Sequence, residues 1–153
     1  MTVYVKNSGN WSLAGNIHVK NAGTWIEPQE VYIKDTGTWQ LVHKVVTISA
    51  NVTNLNLYSY VGSPSTKLRL ITYINPGVYI TSASSASASL DIGNFPAGSQ
   101  VLLVNSGIIE GAAGAGGTGA NYGGSATAGG AGGTAITTVG ISGGVVAIDN
   151  HAG

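Results

Sequence analysis

The chain has 153 residues, a formal net charge of zero and no cysteine, and only 8% of its residues are charged, against about 25% in an average soluble domain. Neutrality removes any long-range attraction to nucleic acid or an anionic membrane, and the lack of cysteine excludes disulfides and thiolate metal sites. All six Lys and Arg fall between Lys6 and Arg69, so hydroxyl groups and exposed backbone must hydrate the C-terminal half, which suits a durable extracellular surface. The opening MTVYVKNSGNW lacks the basic segment and apolar run of a secretory signal, and no apolar stretch is long enough to span a bilayer.

Residues 1–44 are a repeat. Val3-Tyr4-Val5-Lys6, Ile17-His18-Val19-Lys20 and Val31-Tyr32-Ile33-Lys34 recur every fourteen residues, and Gly9, Gly23 and Gly37 keep the same step, as do Trp11, Trp25 and Trp39. Alternating β-branched and aromatic residues predict half-buried strands, and each glycine supplies the positive φ of a short hairpin loop. Units this small bury no face alone, so they are expected to stack on each other or on other chains. A sugar-stacking ladder is the other use of a regular tryptophan row. Packing in a core or an interface is expected, because burying an indole removes roughly 150–250 Å² from water.

Residues 45–109 read as continuous β structure. VVTISANVT and KLRLITYI alternate apolar and polar positions, and the second runs into an Asn75-Pro76-Gly77 turn before Val78-Tyr79-Ile80. Ser82 to Ser89 is a Ser/Ala tract, expected as a small-residue strand or a loop. Leu90 to Ile92, Val101 to Val104 and Ile108-Ile109 are short apolar runs separated by turn residues. Short strands at this spacing predict a β-sandwich or a β-solenoid, with no amphipathic helix.

Residues 110–153 hold the most biased stretch. Gly111 to Gly133 contains eleven glycines, no charge, no proline and one aromatic residue. Such composition commonly makes a flexible linker, but positions 111, 114, 117, 120, 123, 126, 129, 132 and 135 are all Gly or Ala. Three residues is the period of the polyproline-II helix, which rises about 3.1 Å per residue and makes no internal hydrogen bonds. Stripped of side chains on one side, such rods approach closely and pair their bare N–H and C=O groups with neighbours. An ordered set of polyglycine-II-like rods packed side by side, broken at Asn121-Tyr122 and Ser125-Ala126-Thr127 and joined by turns, is therefore expected ahead of a linker. Strands are expected again at Ala135 to Val139 and Val145 to Ile148. The closing VVAIDNHAG is similar to the Leu102 to Gly107 segment that leads into the glycine run, which suggests that the natural chain continues past Gly153.

Catalytic patterns are missing. No Gly-x-x-x-x-Gly-Lys-Ser/Thr loop meets a phosphate, no Gly-x-Ser-x-Gly elbow follows a strand and precedes a helix, and His18, His43 and His151 show no metal-ligand spacing. Neither a cofactor nor a metal is implied, and the chain reads as a non-enzyme. Tyr122 is the lone aromatic residue at a break between glycine rods, where Tyr suits contact with glycans or proteins. Asn121, Tyr122, Ser125 and Thr127 are the candidate receptor-binding residues.

The tandem V-Y-V-K-x-x-G-x-W units, the segment from Leu68 to Gly111 and the glycine run that follows resemble tail-fibre and receptor-recognising proteins of tailed bacteriophages. The glycine-rich part is similar to adhesin tips built from packed polyglycine helices whose end loops contact the host. The resemblance implies a structural protein of the virion tail or tail fibre, often a homotrimer, bound to other tail or capsid proteins through its N-terminal part. It also implies an outward-facing glycine-rich part that meets a bacterial surface glycan or outer-membrane protein. The competing readings are a capsid or tail decoration protein without receptor binding and an ice- or surface-binding protein. The expected architecture is all-β: hairpin repeats over 1–44, a sandwich or solenoid over 45–109, and glycine-rich rods with terminal strands over 110–153.

Overall fold

The computed structural model describes residues 4–7, 10–13, 18–138 and 140–151, with side chains from His18 onward. Strands β1 (Tyr4–Asn7) and β2 (Asn10–Leu13) form one antiparallel hairpin, and β3 (Val19–Asn21) and β4 (Thr24–Ile26) form another. A third joins β5 (Glu30–Asp35) to the long β6 (Thr38–Ile48). The loops of the second and third hairpins are two residues each. Ala22 and Gly23 have φ of 46° and 89°, and Thr36 and Gly37 have φ of 46° and 87°. Positive φ at both central positions is the type I′ turn, whose twist matches that of the flanking strands. Gly9 lies outside the described residues, and Trp11 is described in its backbone only.

From β6 onward the chain winds. It continues into β7 (Val52–Thr53), β8 (Leu55–Asn56) and the single helical turn α1 (Leu57–Tyr60), which the sequence did not announce. A second circuit runs through β9 (Arg69–Ile74), β10 (Tyr79–Thr81) and β11 (Leu90–Asp91). A third runs through β12 (Gln100–Asn105), β13 (Ile108–Ile109) and β14 (Ile136–Thr137), and β15 (Val145–Asn150) begins a fourth. Each circuit gives one strand to each of three parallel ladders: β6-β9-β12-β15, β7-β10-β13 and β8-β11-β14. A sandwich of short hairpins is antiparallel, so parallel pairing identifies this winding as a β-solenoid. The antiparallel β5 covers the edge of β6, which would otherwise present unpaired backbone.

The register sets each circuit squarely on the one before. Lys44, Leu70, Val101 and Val146 share one row, and Val46, Thr72, Leu103 and Ile148 the next. Leu70, Ile80, Leu90, Ile92 and Leu103 are fully buried, with Ile48, Ile74 and Leu57 beside them. Each contributes about 1.5–3 kcal/mol by leaving water. Asparagines hold the corners: Asn51 Oδ1 accepts from the Tyr79 amide at 2.9 Å, and Asn56 Nδ2 donates to Asp91 at 2.7 Å. Asn105 Nδ2 donates to Asn150 Oδ1 at 3.2 Å. The boundary expected between Lys44 and Val45 falls inside β6, which serves both the third hairpin and the first circuit. Among the described residues, no helix is long and apolar enough to cross a membrane.

Candidate functional site

The glycine-rich stretch leaves the solenoid inside its third circuit, between β13 and β14, and returns to the same circuit. Its two arms run antiparallel. Thr127 N donates to Thr118 O at 3.1 Å, Gly130 N to Ala115 O at 2.7 Å and Gly133 N to Ala112 O at 2.7 Å. Donors advance by three residues while acceptors retreat by three, the step of an extended three-fold helix.

Close approach explains the glycines on the first arm. A Cβ on Gly111 would strike the carbonyl of Gly133, one on Gly114 that of Gly130, and one on Gly117 that of Thr127. Gly116 and Gly119 lie off this line and have nothing within 4 Å of an added Cβ. On the second arm Gly129, Gly130 and Gly133 are tight, with added Cβ atoms 3.0–3.3 Å from their nearest neighbours.

The arms are anchored at their base. Ser89 N and Leu90 N donate to the carbonyls of Thr134 (3.1 Å) and Ala135 (2.9 Å), and the Ser89 hydroxyl donates to Glu110 O. Ser89 ends the Ser/Ala tract, which is a loop and not a strand. Asn54 holds that loop: its Nδ2 donates to Ser82 Oγ at 3.0 Å and to Ala88 O at 3.1 Å, and its Oδ1 accepts from Ala83 N at 3.1 Å. Gly133 packs onto the loop, since its added Cβ would lie 3.0 Å from the Ser85 Cα.

At the far end the chain reverses through Asn121-Tyr122-Gly123-Gly124. Gly124 N donates to Asn121 O at 2.8 Å, and Gly123 has φ of 83°. Positive φ at the third residue of a four-residue turn favours glycine. Tyr122, at the second position, is fully exposed. Just below the turn the Thr118 and Thr127 hydroxyls meet at 2.6 Å, and Thr118 N donates to Thr127 Oγ1 at 3.0 Å. Of the candidate receptor-binding residues, Asn121 shapes the turn, Tyr122 crowns it, Ser125 is exposed beside it and Thr127 fastens the arms. Thr118, which sequence reasoning did not single out, is the other half of that fastening.

Of the two packings expected for the tryptophans, a core within the chain does not hold for Trp25 and Trp39. Trp25 and Trp39 are each 65% exposed, so neither seals a core within this chain. Each lies across the hairpin from a lysine, with Lys20 Nζ 6.0 Å from the Trp25 ring centroid and Lys34 Nζ 5.9 Å from that of Trp39. The ammonium groups approach the aromatic quadrupole, and two-residue loops leave no interior in which an indole could be covered. A groove of about 390 Å³ runs between Trp39, Tyr32 and the loop from Gly62 to Thr66. Among the described residues, no group of three His, Asp or Glu is placed to hold a metal ion.

Residues 43–153 match the family described as phage tail fibre adhesin Gp38, so the chain belongs to that family and its place is the virion tail. The match begins within β6 and takes in the whole solenoid and both glycine arms. No curated protein and no solved structure matches the chain.

Proposed function

We propose that this tail fibre adhesin recognises the host through the turn at residues 121–124, held away from the solenoid by two polyglycine-II-like arms. Its ligand is a bacterial surface glycan or an outer-membrane protein. The observation that carries this reading is the bare Tyr122 ring at the end of arms pinned by three backbone hydrogen bonds in one repeating register. Tyrosine offers a flat apolar face and a hydroxyl at little cost in side-chain freedom. A tip fixed before contact loses little entropy on binding. The role is structural and non-enzymatic.

The hairpins form a second working surface. Exposed Trp25, Trp39 and Tyr32 with their lysines fit an interface core better than open solvent, and the partner is another protein of the tail.

Purified chain incubated with host cells tests the tip. The unaltered protein is expected to adsorb and to compete with infecting phage, and Tyr122→Ala is expected to lose both at unchanged thermal stability. Full adsorption and competition by Tyr122→Ala and by an Asn121→Gly, Tyr122→Gly double variant would move recognition elsewhere on the molecule.

A further inference from the structure

His43 is an anomaly in a protein otherwise sparing with buried polar groups. Its side chain is 3% exposed, and neither ring nitrogen has a hydrogen-bond partner. It points away from the solenoid core, since its neighbour Lys44 shares the inward row with Leu70 and Val101. On this outer face the connector Glu27-Pro28-Gln29, which joins β4 to β5, runs against β6. Val45 N donates to Gln29 O at 2.7 Å, and the Glu27 carboxylate stands 3.9 Å from His43 Nε2. Val31 of β5 is the cross-strand neighbour of His43, and Arg69 of β9 follows it along the ladder.

Burial pushes the imidazole pKa below its ordinary 6.5, and the Arg69 guanidinium pushes the same way, against the pull of Glu27 and the Pro28 carbonyl. The other nearby charges, Lys44 and Glu30, are engaged with each other at 2.9 Å. A proton on His43 would place a cation near Arg69 in a site closed to water, at a cost that Glu27 at 3.9 Å offsets only in part.

We infer that the packing of the Glu27–Gln29 connector over His43 is an acid-sensitive joint between the two leading hairpins and the solenoid. The joint is closed while the imidazole is neutral and opens when it takes a proton. The sign follows from linkage. The opened state binds a proton at the ordinary histidine value and the closed state only at lower pH, so closure is complete above 6.5. Below that value the opening equilibrium rises about tenfold per pH unit until the closed state itself titrates. In acid the solenoid and its glycine arms stay folded while the hairpins come loose from the coil.

Hydrogen exchange on the full chain at about pH 7.5 and about pH 5.5, corrected for intrinsic rates, tests the joint. The Val45 amide, bonded to the connector, is expected to lose protection at the lower pH while the Leu70 and Leu103 amides keep theirs. His43→Phe is expected to abolish that loss. Direct titration of the His43 ring by NMR in the unaltered chain gives a second reading, with a midpoint expected below the free-histidine value. A midpoint at or above that value, unchanged Val45 protection, or an equal loss across all core amides overturns the inference.

Discussion

Gly114 and Gly130 face each other across the two arms so closely that no side chain fits on Gly114, whereas Gly116, two residues on, faces open space. This gives a paired experiment within one short segment. Gly114→Ala forces the arms apart, at a cost of about 1–3 kcal/mol for overpacking, and is expected to erase exchange protection at the Gly130 and Gly133 amides. Gly116→Ala is expected to leave both protected. Melting of the solenoid should be unaltered in each variant, because the arms contribute nothing to its core.

The threonine fastening supplies a second prediction. Thr127→Val keeps the shape but removes the oxygen that meets both the Thr118 hydroxyl and the Thr118 amide. A loss of about 1 kcal/mol in local stability is expected. It should be read as faster exchange of the Thr118 amide and weaker adsorption to host cells, with Tyr122 itself untouched.

Core and hairpin respond oppositely to truncation. Leu103→Ala opens a cavity between stacked circuits and is expected to cost about 2–5 kcal/mol in chemical denaturation. Trp25→Ala removes a residue 65% exposed and is expected to leave the denaturation midpoint where it was. Its effect should instead be seen as weaker assembly with the tail.

A further test concerns Glu30, whose pKa lies below its ordinary 4.5 because it accepts a hydrogen bond from Tyr32 (2.7 Å) and pairs with Lys44. A depressed carboxyl pKa means that these contacts are intact above 4.5 and fail as pH falls through the lower, folded-state value. Tyr32→Phe is expected to raise the Glu30 midpoint toward 4.5 in an NMR titration. No movement would show that Tyr32 is not a working partner.

The chain disclosed its strands more readily than its winding. The fourteen-residue repeat marked where the hairpins turn, because a two-residue loop imposes positive φ and a sequence records that demand as glycine. Val45 to Ile48, Leu70 to Ile74 and Val101 to Val104 also read as strands. Their parallel order did not, because which strand lies beside which is decided by contacts between residues a full circuit apart. The glycine period carried the three-residue step and the break at Asn121-Tyr122, but not which arm residues pair across the fold-back. Burial was least legible. A core or an interface was expected for the tryptophans, and Trp25 and Trp39 are exposed within the chain, while nothing in the sequence marked His43 for burial; in both cases tertiary placement decided.

The arms leave the coil and return to it within a single circuit, and matching contacts repeat at every third residue along both of them. Length is therefore adjustable only in matched steps. Removing residues 115–117 together with 128–130 shortens the projection by about 9 Å and leaves every remaining partner in phase, whereas trimming one side alone throws the whole ribbon out of phase. Variation in reach should come in multiples of six residues centred on the tip, and the coil beneath would not sense the change.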